Sequence, residues 1–277
     1  MVFLDSVSQD VFAPSFLMRL SQGQLNSLER CPRQFQHTYL DQISSPTSIE
    51  QQERQTWGSR FHLLMQQREL GLPIESLVQE DTQMRSWMTA FTSAAPEILA
   101  GGEERQMFRE SEHCRTLQVQ DYLLTVVYDL LIADELQAQI LDWKTYPKPQ
   151  NRRRLAENWQ TLLYLYVLAE TSEYLPERIS LTYWFVQSAE KPQSLKFTYS
   201  MSQHQKTGQK LHRRLNQLSN WLETYPAGQF PQTQISQVCD SCAFAVRCDR
   251  SHKEDDSKEA IASSLVPNLA NIEEVSL

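Results

Sequence analysis

Long apolar runs are missing from this 277-residue sequence. A helix that crosses a bilayer needs about 18 or more consecutive apolar residues, and no such stretch occurs, so we expect no membrane span. The opening residues, MVFLDSVSQD, also lack the basic segment followed by an apolar segment that is typical of a signal peptide. The sequence therefore predicts a cytoplasmic protein.

The nucleotide-binding pattern G-x-x-x-x-G-K-[ST] is absent too, which excludes an ATP-driven motor with that motif from this chain. Internal repeats are also absent. Apolar residues make up 40% of the chain and charged residues 22%, which suffices for a packed core. These proportions indicate one large domain, or a domain with an appendage.

Cysteines are few and odd in number, which argues against a disulfide framework in a cytoplasmic protein. Three of the five, Cys239, Cys242 and Cys248, follow the spacing C-x2-C-x5-C and indicate a metal or cluster site. The second C-x2-C of a zinc ribbon is lacking. A fourth ligand must come from elsewhere, and Cys31 and Cys114 compete for that position. The alternative is a set of unliganded cysteines.

Net positive charge is also lacking, since the formal charge is −8. Half of this excess lies in residues 253–277, where six acids accompany two lysines, and we expect a disordered tail there. A local basic patch can still hold phosphates, although such a cluster can equally be a solvated helix face. Two clusters occur: Lys144, Lys148, Arg152, Arg153 and Arg154, and then Lys206, Lys210, Arg213 and Arg214.

Hydrophobic periodicity predicts a helical first part and a mixed second part. Helices are predicted at 21–40, 53–69 and 84–94. Residues 106–120 alternate like a strand, and the β-prone segments 122–132 and 137–145 predict an antiparallel hairpin. A helix at 157–170, strands at 181–187 and 194–200, and a helix at 202–225 follow. This order indicates an α/β fold with a mixed sheet and a helical N-terminal portion.

The predicted hairpin carries charged residues in apolar surroundings. Asp142 and Lys144 are two residues apart, so they share one face of their strand, while Leu141 and Trp143 share the other. Pairing of the hairpin brings Asp129, from VVYDLLI, beside Asp142. Two carboxylates about 4 Å apart repel by about 4 kcal/mol at an effective dielectric near 20, so a positive group is expected between them. Lys144 or a divalent cation fits that position; the alternative is a surface ion pair.

Asp129 followed by Asp142-Trp143-Lys144 resembles the motif of the PD-(D/E)XK nuclease superfamily. Gln160 and Tyr164 resemble the Q-x-x-x-Y motif of its RecB-like branch, and His62, in WGSRFH, resembles the upstream histidine of that branch. The four residues Cys31, Cys239, Cys242 and Cys248 resemble the split iron–sulfur site of AddB-type and CRISPR-adaptation nucleases. The pieces stand in the family's order. Val127 departs from the pattern, because the family often has glycine there, and Glu110 and Glu112 remain alternatives for an upstream acid.

The resemblance implies a restriction-endonuclease-like mixed sheet flanked by helices, with a C-terminus stapled by the cysteines. It implies a nuclease-like domain at 21–250 with a helical insertion near 70–102, between an N-terminal extension at 1–20 and an acidic tail at 251–277. Asp129, Asp142 and His62 are expected to bind Mg²⁺ or Mn²⁺. Lys144 is expected to orient water or neutralise charge, and Gln160 and Tyr164 to hold Lys144 or the nucleic-acid backbone. The phosphate-binding residues are expected to be Arg152, Arg153 and Arg154.

The cysteine site is expected to hold a [4Fe–4S] cluster, with Zn²⁺ as the alternative. The implied function is metal-dependent cleavage of DNA, at single strands or free ends, in repair, recombination or CRISPR adaptation. Any helicase or other DNA-processing partner would be a separate chain. The alternative function is a non-catalytic iron–sulfur module that binds DNA or protein within a larger complex.

Overall fold

The structure is a computed structural model that describes residues 17–45, 48–79, 81–99, 108–149, 151–187, 191–225 and 227–250. The expected acidic tail at 251–277 and most of the expected N-terminal extension lie outside these residues. Met18–Leu20, which we expected to belong to the N-terminal extension, form a strand of the sheet. Within the described ranges, no helix is both long and apolar enough to span a bilayer.

A mixed six-stranded sheet forms the centre of the molecule. Strand β2 pairs antiparallel with the whole length of β3. The other edge of β3 is shared by β1, which is parallel, and β4, which is antiparallel. Beyond β4 lie β5, parallel to it, and β6, antiparallel to β5. The strands are β1 Met18–Leu20, β2 Phe108–Val119, β3 Tyr122–Ala133, β4 Ala138–Lys144, β5 Ile179–Phe185 and β6 Gln193–Thr198.

Helices cover both faces of this sheet. They are α1 Gln22–Arg30, α2 Pro32–Phe35, α3 Ile49–Glu69, α4 Glu75–Gln79, α5 Thr82–Ala94, α6 Pro96–Leu99, α7 Arg152–Ala156, α8 Trp159–Glu170, α9 Met201–Thr224 and α10 Ser236–Asp240. A π-helical turn, Gln36–Leu40, follows α2, and two 3₁₀ turns occupy Pro176–Arg178 and Val246–Cys248. The predicted architecture, a mixed sheet flanked by helices, is confirmed.

Polar side chains begin several of these helices. The Ser21 hydroxyl accepts from the amide of Gln24, whose side chain bonds back to the Ser21 amide, so α1 starts with a capping box. Asn158 caps α8 by accepting from the amide of Gln160. Asn26 of α1 also accepts from the amide of Trp159, at 3.2 Å. The start of α8 is therefore fixed by its own cap and by α1.

The predicted helix at 21–40 is interrupted at Cys31, and in this respect the prediction is wrong. Cys31 is extended, with φ −161° and ψ 112°, between α1 and α2. Pro32 is the physical reason, because a proline disfavours the helical conformation in the residue before it. The interruption turns the buried Cys31 toward residues 229–250.

Two apolar cores lie on opposite faces of the sheet. The larger core joins the sheet to α1, α8 and α9, through residues such as Leu25, Leu163 and Leu211. The smaller core joins it to α3 and α5 and includes Leu141 and Trp143. The predicted alternation of β4 is thus observed: the two apolar residues face the smaller core, while Asp142 and Lys144 face the other way.

Candidate active site

Strands β2 and β3 are both irregular at the level of Asp129. Along β3, Tyr122, Leu124, Val126 and Tyr128 line the larger core, but the next residue to do so is Leu131, so the alternation slips by one. The ladder runs from the pair Ser111–Leu130 to His113–Tyr128, which leaves Glu112 opposite Asp129 without a regular bridge. Glu112 has a φ of 51°, the left-handed region that non-glycine residues rarely adopt. Such strain is typical of functional sites.

Three side chains from different elements meet at this irregularity. His62 from α3, Glu112 from β2 and Asp129 from β3 each offer a metal-ligating atom, and these atoms lie within 4.8 Å of one another. Nδ1 of His62 is 3.3 Å from Oδ1 of Asp129. Nε2 of His62 is 3.0 Å from the carbonyl oxygen of Trp143, which can only accept, so the donor is Nε2. That bond turns Nδ1 toward the carboxylates.

The two acids of this cluster have opposite pKa shifts. Burial and the neighbouring charge of Asp129 raise the pKa of Glu112 to about 7. Burial alone would raise the pKa of Asp129 as well, but His62, Lys144 and the amide of Trp143 outweigh it and hold that pKa below its ordinary value. One carboxylate is therefore ionised at neutral pH, and the other titrates near neutrality.

Asp142 and Lys144 lie beside this cluster and are almost fully buried. Nζ of Lys144 is 2.7 Å from Oδ1 of Asp142, and each side chain is 1% exposed. Gln160 donates through Nε2 to Oδ2 of Asp142, at 2.9 Å, and to the hydroxyl of Tyr164, at 3.3 Å. Asp129 is joined to the same strand, since its Oδ2 accepts from the amide of Trp143 at 2.6 Å. The carboxylate of Asp129 on β3 is thus bonded to the residue that follows Asp142 on β4.

The structure brings together six of the residues that the sequence singled out. His62 contacts Asp129, which accepts from a backbone amide of β4. Asp142 and Lys144 of β4 form a connected set with Gln160 and Tyr164 of α8. The arginines lie apart from this set, exposed on α7. Arg152 donates to the carbonyl of Lys196 and lies over the ring of Phe197, and Arg153 pairs with Glu157.

Sequence reasoning left the upstream acid undecided, and the structure separates the two alternatives. Glu112 faces Asp129, whereas Glu110 is half-exposed and bonds to His113. Residues two apart on a regular strand share a face, so the pattern alone could not choose between them. The distortion at Glu112 is a tertiary feature with no signal in the sequence.

The second candidate site is a pocket lined by four cysteines. Cys31, Cys239, Cys242 and Cys248 all face it, together with apolar side chains such as Phe244. All five cysteines of the chain are free thiols, and Cys114 is exposed on β2. Burial raises the pKa of the Cys242 and Cys248 thiols. Four sulfur donors around one pocket are the donor set of a tetrahedral zinc site or of a cubane iron–sulfur cluster.

The helical start of the chain holds the segment that supplies three of these cysteines. Arg33 donates from Nε to the carbonyl of Phe230, at 2.6 Å, and Arg30 donates to the hydroxyl of Ser241, at 3.0 Å. His37, from the π-helical turn, lies 3.9 Å from the sulfur of Cys248 and 2.7 Å from Asp41. The pocket therefore joins the segment around Cys31 to residues 229–250, which lie far apart in the sequence.

The family model of the PD-(D/E)XK nuclease superfamily matches residues 19–249 of this chain. The matched residues include both candidate sites. The chain belongs to this superfamily. The superfamily part of the resemblance is thereby confirmed, and the RecB-like assignment stays a prediction. None of the curated proteins is similar enough to match.

Two solved structures are similar to this chain to different degrees. A crystal structure from Eubacterium rectale, described as a "putative exonuclease", aligns with a TM-score of 0.52 at 11% identity, over 92% of this chain and 97% of that one. The structure of SSO0001 aligns with a TM-score of 0.37 at 11% identity, over 83% of this chain and 85% of that one. At 11% identity, the similarity to the Eubacterium rectale structure concerns the fold alone.

Proposed function

We propose that the protein is a metal-dependent DNA nuclease of the RecB-like branch that acts on single strands or free ends. The observation that carries this proposal is the meeting of His62, Glu112 and Asp129 beside the buried pair of Asp142 and Lys144, in a chain of the PD-(D/E)XK superfamily. Superfamily membership supports DNA as the substrate. The process, whether repair, recombination or CRISPR adaptation, is part of the proposal.

The donor set fits a small divalent cation. Carboxylate oxygens suit both Mg²⁺ and Mn²⁺, and the imidazole favours Mn²⁺. His62, Glu112 and Asp129 would hold the ion, since their ligand atoms lie together. Asp142 lies outside that group of three, and we propose it as a further ligand whose carboxylate Lys144 and Gln160 orient. Such an ion, when bound, lowers the pKa of coordinated water and stabilises charge on a phosphoryl oxygen.

The side chains around the ion have separate tasks. Lys144 supplies an ammonium group that neutralises negative charge developing at the scissile phosphate. Gln160 holds Asp142, and Tyr164 holds Gln160, so the helix α8 keeps the acid in place. The exposed arginines of α7, Arg152, Arg153 and Arg154, would meet the phosphates of the nucleic-acid strand.

The four-cysteine pocket is proposed to hold a [4Fe–4S] cluster, with Zn²⁺ as the alternative. The fit rests on four thiols around one pocket and on the absence of a zinc-ribbon spacing. Its role would be structural, joining α1 and α2 to residues 229–250. We place the protein in the cytoplasm, with any helicase partner on a separate chain.

A cleavage assay with Mn²⁺ or Mg²⁺ tests the main proposal. Labelled single-stranded DNA should be degraded by the wild-type protein, and Lys144→Ala should lower kcat by at least about a hundredfold without weakening DNA binding. Lys191→Ala, which removes an exposed lysine before β6, is the matched control and should cleave normally. Binding without cleavage across metals and substrates would favour the non-catalytic module instead.

A further inference from the structure

The ammonium group of Lys144 rests on an aromatic ring as well as on Asp142. Its Nζ lies 5.3 Å from the ring centroid of Tyr183, over the face of the ring. This separation falls inside the range of about 6 Å in which a ring face attracts a cation. A buried ammonium needs such partners, because it has exchanged water for the protein interior. Lys144 therefore has an aromatic support, Tyr183, in addition to the carboxylate of Asp142.

Strand pairing places the ring where it can act. Tyr183 lies on β5, which is parallel to β4, and it stands in register with Asp142. The residue is fully buried. The rigid ladder thus fixes the backbone of Tyr183 relative to both members of the Asp142–Lys144 pair.

A hydrogen-bond chain fixes the far end of the same ring. The hydroxyl of Thr161 donates to the carbonyl of Leu155, at 2.7 Å, which uses its one hydrogen. The hydroxyl of Tyr183, 2.8 Å from the Thr161 oxygen, must therefore be the donor in that contact. The chain ties Tyr183 to α8 through Thr161 and to α7 through Leu155.

The first turn of α8 thereby holds the side chains of both Asp142 and Tyr183 beside Lys144. Gln160 fixes the carboxylate of Asp142, and the next residue, Thr161, fixes the ring of Tyr183. The ring of Tyr183 also packs edge-on against Phe197, at 5.9 Å between centroids. Lysine has a flexible four-carbon stem, so these contacts restrict an otherwise mobile group to one direction.

We propose that Tyr183 is a positioning residue for Lys144, with Thr161 as its anchor. Tyr183 does not touch the substrate; it aims the ammonium group at the place where the scissile phosphate binds. The consequence for cleavage rests on the function proposed above, whereas the placement of Lys144 does not. Misplacement of a catalytic group lowers kcat while substrate binding stays intact.

The test compares Tyr183→Phe, which keeps the ring, with Tyr183→Leu, which removes it. We expect Tyr183→Leu to lower kcat by about tenfold with KM for DNA unchanged, and Tyr183→Phe to recover most of that loss. Tyr199→Leu is the matched control, because Tyr199 is a buried tyrosine of the same core with contacts to His204. It should lose comparable thermal stability and keep its kcat. A normal kcat in Tyr183→Leu, or an equal loss in Tyr199→Leu, would overturn the proposal.

A crystal structure of Tyr183→Leu gives a readout that needs no activity. Nζ of Lys144 should leave its position 2.7 Å from Oδ1 of Asp142, and it should keep that position in Tyr183→Phe. An unmoved Lys144 in Tyr183→Leu refutes the positioning role, even if the protein cleaves nothing. A wild-type protein without cleavage activity counts against the nuclease function alone. If Tyr183→Leu does not fold, Thr161→Val takes its place. We expect the same movement of Lys144 in that variant, and an unmoved Lys144 would again refute the positioning role.

Discussion

The carboxylate cluster and the cysteine pocket differ in how their parts are held before any metal binds. In the cluster, His62, Lys144 and Gln160 already partner the acids, and the charges of Asp129 and Asp142 are compensated. In the pocket, burial raises the pKa of Cys242 and Cys248, so these thiols are protonated and uncharged. The carboxylate cluster is therefore preorganised by the protein, whereas the side chains of the cysteine pocket need a bound ligand to hold them in place.

The largest expected effect is a loss of cleavage without a loss of structure. Asp129→Asn should lower kcat by at least about a hundredfold and weaken Mn²⁺ binding, because it removes the charge at the centre of the cluster. The variant should stay folded without metal and melt only slightly lower than the wild type, since the lost attraction to His62 and Lys144 is partly offset by relief of the repulsion from Glu112. Calorimetric Mn²⁺ titration and thermal melts check both points. A variant that no longer folds would show that the cluster, too, is structural.

The opposite result is expected for the cysteine pocket. Anaerobically purified protein should be brown, with absorbance near about 400 nm, and Cys31→Ser should lose the colour and melt about 10 °C lower. Cys114→Ser is the matched control, because Cys114 is exposed and lies outside the pocket. A colourless wild-type protein that contains zinc would refute the iron–sulfur assignment, and an unchanged melting temperature would refute the structural role.

The smallest expected effect concerns the pH dependence of stability. The pKa of Glu112 is about 7 in the folded protein against an ordinary 4.5, so folding favours the protonated form. Its contribution to stability therefore falls as the pH rises through this window, and the cost is complete above about pH 7. Without metal, Glu112→Gln should be more stable than the wild type at pH 8 by about 1 kcal/mol, after allowance for solvent screening of a half-buried group.

The difference between Glu112→Gln and the wild type should shrink toward pH 5, and saturating Mn²⁺ should reverse it, because the ion binds the carboxylate. Thermal melts at the two pH values, with EDTA and with Mn²⁺, measure this. If Glu112→Gln were more stable than the wild type by the same amount at both pH values, the titration of Glu112 would be excluded as the cause.

The sequence was most informative where the strand period is regular. The order Leu141, Asp142, Trp143, Lys144 predicted two faces, and the cores confirm them. It was least informative at Glu112, whose orientation depends on a distortion shared by two strands. Tyr183 gave no signal either, since a tyrosine in the segment LTYWFVQ is indistinguishable from ordinary core.

Prediction of the helices failed where it neglected the local chemistry of proline. The apolar spacing of residues 21–40 suggested one helix, although Pro32 marked the break at Cys31. The short helices α4, α6, α7 and α10 were not predicted, because four or five residues are too few to establish a 3.6-residue period. Packing, rather than their own propensity, stabilises helices of this length.

The bond between Arg30 and Ser241 joins residues that are 211 positions apart. During synthesis, helix α1 leaves the ribosome long before the segment that it contacts has been made. Until then the contacts between the two segments cannot form, and the four thiols cannot yet share one ion. Completion of this fold, and with it delivery of whatever the thiols bind, must wait until the segment with Cys239, Cys242 and Cys248 has been made.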